Sequence, residues 1–332
     1  MKARTLAIEM NDVTFYPNGE AGIKGVTLTV RQGTLLGIVG PAGSGKSTLV
    51  KLLTGVYRPR HGSVLVLNSD PLRFNARTRQ QVALMLKPEA LNHELTVLGQ
   101  LQFIASLYGF ESDTMHRRIQ QVLDQLRLTR LRDAPIGKLS PYPLQRVALA
   151  CTLIQSPKVI VADTPADDLE PAQRARLWND LLAVHAQLRS RPHTMVVTTR
   201  YADLARHCEL VSVLGHGELL CTDTPRGLQR RALGGDLLRL WAAPEWCGLV
   251  QEVVTTAPGI LSVTHPERIY DSVIVQVDNA QRRLPQLEAL LRSAIGAQHF
   301  KIEPYWMPLE KVVAHLVETG VGGCEPKHAQ TA

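Results

Sequence analysis

The stretch Gly40-Pro41-Ala42-Gly43-Ser44-Gly45-Lys46-Ser47-Thr48 sets glycines, one lysine and several hydroxyls into a single short turn. That combination suits a polyphosphate. Glycines let backbone N–H groups turn toward phosphate oxygens, Lys46 neutralises the β- and γ-phosphates, and Ser47 offers a hydroxyl to magnesium. Asp163, which closes the apolar run from Val159 to Ala162, is placed to hold the same ion through water. The pattern points to a nucleoside triphosphate, ATP with Mg2+. Tyr16, in Tyr16-Pro17-Asn18-Gly19, could stack its ring on adenine.

Such a turn needs a strand before it and a helix behind it. Leu35 to Val39 reads as a buried strand and Ser47 to Leu53 as a helix, whose start adds the positive end of its dipole. Val159 to Ala162 and Met195 to Thr198 are further short apolar runs that end in polar residues, as strands of a largely parallel sheet do where ligands gather. Residues 97–153 read as helical, with Ile119, Val122, Leu123 and Leu126 on one stripe. After Gly235 the pattern changes. Val273, Val275 and Val277 alternate as in a half-buried strand, while Leu287, Leu290, Leu291 and Ile295 repeat as on a helix, giving a β-α-β-β-α-β order and then a last helix. Gly320 to Ala332 has no period and is expected to be disordered.

Composition narrows the classes. The chain has 332 residues, 45% of them hydrophobic, enough for an ordinary core and for two domains. No run approaches the roughly 20 apolar residues that span a bilayer, and the start lacks a signal-peptide core, which implies a cytoplasmic chain. The 5 cysteines are odd in number and widely spaced, against a disulfide framework or zinc site. The 11 histidines show no H-E-x-x-H spacing. Although the formal charge is +7, the arginines are scattered along helices and form no run, so no nucleic-acid partner is expected.

Over residues 5 to about 230 the chain resembles the nucleotide-binding subunit of an ABC transporter. The resemblance rests on landmarks in family order: Tyr16, the 40–48 loop, Leu95-Thr96-Val97, Leu139-Ser140, Gln145-Arg146-Val147-Ala148-Leu149-Ala150, and Asp163. The part ending Pro308-Leu309-Glu310-Lys311-Val312-Val313 resembles the accessory domain that follows many bacterial export-type ABC ATPases. The resemblance implies an α/β, P-loop NTPase, ABC-type ATPase domain over residues 1–234, with a helical subdomain inserted at about 90–153. A small α+β ferredoxin-like domain follows at 235–318, then a tail at 319–332. It also implies transmembrane permease subunits as partners, a second ATP-binding domain as dimer mate, and a place on the cytoplasmic face of the inner membrane. In the family, each ATP lies between one chain's phosphate loop and the other's L-S-G-G-Q signature.

Against that family this sequence departs at its hydrolysis positions, so no catalytic residue is intact. Thr164 stands where the family has the glutamate that deprotonates water, and a hydroxyl is no useful base near neutral pH. Arg200 stands for the switch histidine; it keeps a permanent charge and can grip a γ-phosphate but cannot change protonation. Lys87 stands for the loop glutamine, putting a cation where a neutral magnesium ligand belongs. The signature reads Leu139-Ser140-Pro141-Tyr142-Pro143, and its prolines contribute no N–H to a partner's phosphate. Glu170 for the crossing-loop aspartate is a minor change.

The expectation that follows is an ATP-binding, hydrolysis-poor subunit of a bacterial export system, paired with a competent ATPase domain. Two alternatives stand beside it: an ordinary transport ATPase using carboxylates such as Glu89, Asp167 or Asp168, and a nucleotide-dependent scaffold or regulator without a transport role.

Overall fold

The computed structural model describes residues 5–17, 22–187, 193–264 and 272–320. These form two compact units that separate after Thr224, the second running Pro225–Glu318.

The first unit opens with strands β1 (Leu6–Phe15) and β2 (Ile23–Arg31), followed by β3 (Leu35–Val39), helix α1 (Lys46–Leu53) and β4 (His61–Val66). Next come α2 (Ala76–Arg79), β5 (Val82–Leu84), α3 (Val97–Leu107), α4 (Ser112–Gln125) and α5 (Pro141–Leu153). The unit closes with β6 (Val159–Ala162), α6 (Pro171–Gln187), β7 (Thr194–Thr199), α7 (Ala202–Ala205), β8 (Leu210–Gly215) and β9 (Glu218–Asp223).

Six strands make one sheet in the order β5-β6-β7-β3-β8-β9, parallel except for the antiparallel edge strand β9. Every residue of β3, β6 and β7 is buried, because a sheet covered on both faces selects continuous apolar runs rather than alternation. Each such Leu, Ile or Val contributes about 1.5–3 kcal/mol by leaving water. Register then aligns the strand ends. Ile38 lies opposite Thr198, Val39 opposite Thr199, and Ala162 opposite Val197, so the turns after β3, β6 and β7 meet at one edge.

A second sheet, antiparallel and ordered β2-β1-β4, accompanies the largely parallel sheet that the apolar runs imply. Its pattern is hard to read because β1 is irregular: the register shifts between Met10 and Val13, and Asp12 has φ 48°. Its inner residues, among them Ile8, Met10 and Val13, join the core built on Leu36 and Ile38. The helical segment comprises α3, α4 and α5, with Ile119, Val122, Leu123 and Leu126 all buried. Thr96 caps α3 by accepting the Gly99 N–H at 3.1 Å.

The second unit consists of α8 (Pro225–Leu233), β10 (Asp236–Ala242), α9 (Cys247–Thr256), β11 (Ile260–Thr264), β12 (Ser272–Val277), α10 (Ala280–Ile295), β13 (Phe300–Tyr305) and α11 (Leu309–Thr319). Its four antiparallel strands are ordered β11-β12-β10-β13, with β12 set between β10 and β11 as in a split β-α-β arrangement. Val273, Val275 and Val277 face the core with Leu287, Leu291 and Ile295. Leu290, expected on the same stripe, is 43% exposed, since a strip of 3.6 period one residue wider carries it to the rim.

The junction falls ten residues before the expected one. Helix α8 packs with the second unit: the Arg230 guanidinium grips Asp236 at 2.9 and 2.8 Å, and Gln229 bonds Tyr305 O at 3.3 Å and accepts the Met307 N–H at 2.8 Å. Thr319, assigned to the tail, closes α11 instead. The rest of the tail, 321–332, lies outside the described residues. Among the described residues no helix is long and apolar enough to cross a membrane.

Candidate functional site

The turn after β3 wraps back on itself before α1 begins. Gly43 has φ 77° and Gly45, the N-cap of α1, has φ 98°, left-handed conformations that an L side chain adopts only with strain. A Cβ on Gly40 would lie 2.1 Å from Leu214 O, so β8 leaves room for glycine alone. These glycines bring the loop's own carbonyls onto Lys46, whose ammonium donates to Gly40 O and Pro41 O at 2.7 Å each and to Ser44 Oγ at 3.4 Å. Burial lowers the Lys46 pKa; the nearby Asp167 and Asp163 carboxylates oppose that shift, and Arg200 adds to it.

Before this loop opens a cleft of ≈ 340 Å³. One wall is Ala42, Gly43 and Gly45 to Thr48; the other is Thr164, Asp167, Asp168 and Arg200. Ser47 is exposed there, with its hydroxyl at the first turn of α1. Backbone N–H groups, a helix start, a lysine and a hydroxyl on one wall fit a magnesium-bound polyphosphate, the ligand that the loop's composition implies.

Asp163 leaves β6 opposite Thr198 on β7, and Thr198 Oγ1 donates to Asp163 Oδ1 at 2.8 Å. The same hydroxyl accepts the Thr164 N–H at 2.9 Å. Thr164 itself has φ 47°, an outlier for a β-branched residue. Asp167 is fully engaged: Thr199 Oγ1 donates to its Oδ1 at 2.6 Å and the Arg200 N–H to its Oδ2 at 3.0 Å. The Arg200 side chain folds onto this loop, with Nη2 3.0 Å from Asp167 O and 3.8 Å from Asp168 Oδ1. Its guanidinium carbon lies 5.1 Å from the Tyr201 ring centroid, and that of Arg174 lies 3.4 Å from it.

A second cleft, of ≈ 530 Å³, shares Thr164 and Asp168 with the first and adds Lys87, Glu89, Pro141 and Asp163. Asp163 and Lys87 thus line this neighbouring space rather than the phosphate cleft. Tyr16 lines neither; it follows the end of β1 and is half-buried, while the adjacent Phe15 stacks on Tyr57 at 4.6 Å. Glu170 is exposed, and its carbonyl accepts the Arg174 N–H at 2.8 Å.

The signature segment forms the start of α5, with Ser140 as N-cap and Pro141 and Pro143 in the first turn. An α-helix begins with orphan N–H groups, and two of these positions have none to give. The Tyr142 side chain turns inward instead: its hydroxyl donates to Asp180 Oδ2 at 2.8 Å, and Arg146 lies 5.2 Å from its ring and 3.4 Å from the same carboxylate. Burial, then the Asp180 bond, raise the Tyr142 pKa.

Sequence reasoning missed Thr198, Thr199, Tyr201 and Arg174 as parts of the site. The signal was present for the first two, since polar residues at the C-terminal end of a central parallel strand sit at the ligand edge. Arg174 and Tyr201 meet only through the tertiary fold.

Residues 23–167 match the protein family described as ABC transporter. Nod factor export ATP-binding protein I of Rhizobium sp. (strain N33) is 30% identical over 252 residues, covering 75% of this chain and 80% of that protein. The probable multidrug ABC transporter ATP-binding protein YbhF of Escherichia coli (strain K12) is 28% identical over 225 residues, which are 68% of this chain and 38% of YbhF. This chain therefore matches well under half the length of YbhF.

Among solved structures, cbiO1 from Clostridium perfringens, part of the ABC transporter complex cbiONQ, superposes with a TM-score of 0.62 at 22% identity, over 76% of this chain and 96% of that one. A dimeric, post-hydrolysis ATP-binding cassette, MJ0796, bound to ADP and Pi superposes with a TM-score of 0.57 at 24% identity, over 65% of this chain and 98% of that one. At those identities the likeness is one of fold.

Proposed function

This chain belongs to the family of ABC transporter ATP-binding proteins, and from that premise we propose that it is the nucleotide-binding subunit of a bacterial export system, one that holds ATP and turns it over slowly. The observation that carries the slow turnover is the wall facing Lys46. A hydroxyl, Thr164, stands there, and the neighbouring carboxylates of Asp163 and Asp167 are already bonded to Thr198, Thr199 and Arg200. Loss of a general base lowers a hydrolytic rate by roughly 100- to 10,000-fold.

In this reading the loop from Gly40 to Thr48 binds the phosphates, Lys46 exchanges its bonds to Gly40 O and Pro41 O for phosphate oxygens, and Tyr16 stacks on adenine. Ser47 and Asp163 would hold magnesium, which supplies charge neutralisation of the phosphates. Arg200 would have to release Asp167 O to reach a γ-phosphate. The first turn of α5, short of two N–H donors, gives little to a phosphate on a partner. A pair of identical chains would then have no complete site. We therefore infer a second, competent ATP-binding domain as dimer mate and permease subunits as membrane partners, with the chain at the cytoplasmic face of the inner membrane and ATP acting mainly to hold the dimer closed.

One observation favours a second reading, a competent ATPase with unfamiliar residues: Asp168 lines the cleft with its side chain 92% exposed. Calorimetry with Mg-ATP and single-turnover phosphate release by the purified chain separate the two. Saturable binding that Lys46→Ala abolishes, with slow release, is expected. Brisk release by the isolated chain would establish the second reading, and no binding at all would overturn both.

A further inference from the structure

Among the described residues, the wall of the phosphate cleft that faces Lys46 carries a single basic side chain, Arg200. Its charge is felt across the cleft, since the Lys46 pKa, lowered chiefly by burial, is lowered further by Arg200. The guanidinium rests against the next residue in the chain. Its carbon lies 5.1 Å from the Tyr201 ring centroid, while Nη2 donates to Asp167 O at 3.0 Å and Nε lies 3.8 Å from Asp167 Oδ2.

Tyr201 is itself fixed twice. Its N–H donates to Thr199 Oγ1 at 3.0 Å, and its ring centroid lies 3.4 Å from the guanidinium carbon of Arg174, whose Nη2 donates to Leu169 O at 2.9 Å. Both arginines are thereby anchored to one loop, at Asp167 and Leu169, with the same ring against each. Tyr201 Oη enters no hydrogen bond among the described residues, so the ring alone makes this contact.

The Arg200 side chain is 48% exposed, and neither its ring contact nor its 3.8 Å approach to the exposed Asp168 is strong in such a setting. A terminal phosphate offers the same guanidinium two charge-assisted bonds at once. Two states of Arg200 thus compete closely, and whatever favours the parked one subtracts from the affinity of a ligand that needs the other. A diphosphate, shorter by the group in question, makes no such demand.

We propose that Tyr201 is a positioning residue that sets the preference of this chain for ATP over ADP: its ring holds Arg200 on the loop of residues 163–170 and withholds it from the terminal phosphate. The inference rests on the nucleotide reading above and adds to it a side chain that touches no phosphate.

The test is the affinity of the full chain for Mg-ATP and Mg-ADP by calorimetry, for wild type, Tyr201→Leu and Tyr201→Phe, each with and without Arg200→Gln. Tyr201→Leu should tighten ATP about two- to fivefold and leave ADP unchanged, the span that one ring contact to a cation allows. Tyr201→Phe keeps the ring and should match wild type. With Arg200→Gln in place, Tyr201→Leu should change neither affinity. Arg174→Gln loosens the ring without removing it, should move the ratio in the same direction, and serves where Tyr201→Leu does not fold. An unchanged ratio, a weakening of ATP alone, or a gain that survives Arg200→Gln overturns the inference and leaves the nucleotide reading intact. Binding of neither nucleotide by the wild type overturns both.

Discussion

The hydroxyl of Thr198 donates to Asp163 Oδ1 at 2.8 Å and at the same time receives the N–H of Thr164 at 2.9 Å. One side chain on β7 therefore fixes both the carboxylate proposed for magnesium and the backbone of the residue that replaces the family's base.

Thr198→Val keeps the β-branched shape and removes both bonds. It should cost about 1–3 kcal/mol, since a part-buried carboxylate and an N–H lose their partner together. Urea unfolding checks this, with Thr198→Ser, which keeps the hydroxyl, expected to lose well under half as much. Equal losses from the two would show that packing, not the hydroxyl, matters.

The phosphate loop offers a graded test of its glycines. At Gly45 a methyl would meet Gly22 O at 2.7 Å and Ile23 Cγ2 at 2.8 Å, on top of φ 98°. At Gly43, with φ 77°, it would meet nothing within 4 Å. Gly43→Ala should carry only the left-handed strain, about 1–2 kcal/mol. Gly45→Ala should carry more and abolish ATP binding, as read by calorimetry and thermal melting. The reverse ranking would contradict the loop geometry.

Restoring one family residue should not restore the enzyme. Thr164→Glu returns a carboxylate to the cleft wall, yet Arg200 stays bound to Asp167 O and Pro141 and Pro143 still lack N–H groups. Single-turnover phosphate release should rise by less than about tenfold. A gain of several hundredfold would mean that the missing base is the sole defect.

The parts of this architecture that the residues announce are those where composition and period agree. The run Leu35 to Val39 ends at the Gly-rich turn, and each of its side chains is buried. The valines of β12 and the stripe of α4 likewise face the interior. Where two requirements compete the pattern blurs. Strand β1 carries Asp12 at positive φ inside its pairing, which hides its alternation and with it the antiparallel sheet. Leu290 satisfies the helical repeat but lies at the edge of the buried face. The links from Thr198 to Asp163 and from Tyr201 to Arg174 join residues 35 and 27 positions apart, which no local pattern encodes.

In the second unit, arginines hold two carboxylates, Asp236 and Asp278, below the ordinary range, and the Asp278 pair offers the test. The Arg283 guanidinium donates to Asp278 Oδ1 at 2.7 Å and to Oδ2 at 2.6 Å, and holds that carboxyl at a pKa of about 2 against an ordinary 3.8. A depressed pKa means that the pair's stabilisation is complete above 3.8 and is lost as pH falls through about 2. Arg283→Gln should move the acid transition of this unit upward, toward the ordinary carboxyl range. Tryptophan fluorescence follows it, because Trp241, Trp246 and Trp306 all belong to this unit. An unchanged transition would assign acid sensitivity elsewhere.

Where α8 belongs decides how the chain can be shortened. A polypeptide halted at residue 234 would retain that helix while discarding Asp236, Tyr305 and Met307, the groups its Arg230 and Gln229 hold. Halting it at Thr224 takes away the whole bonded set together and leaves no half of a partnership behind, so the shorter truncation is the sounder one to express.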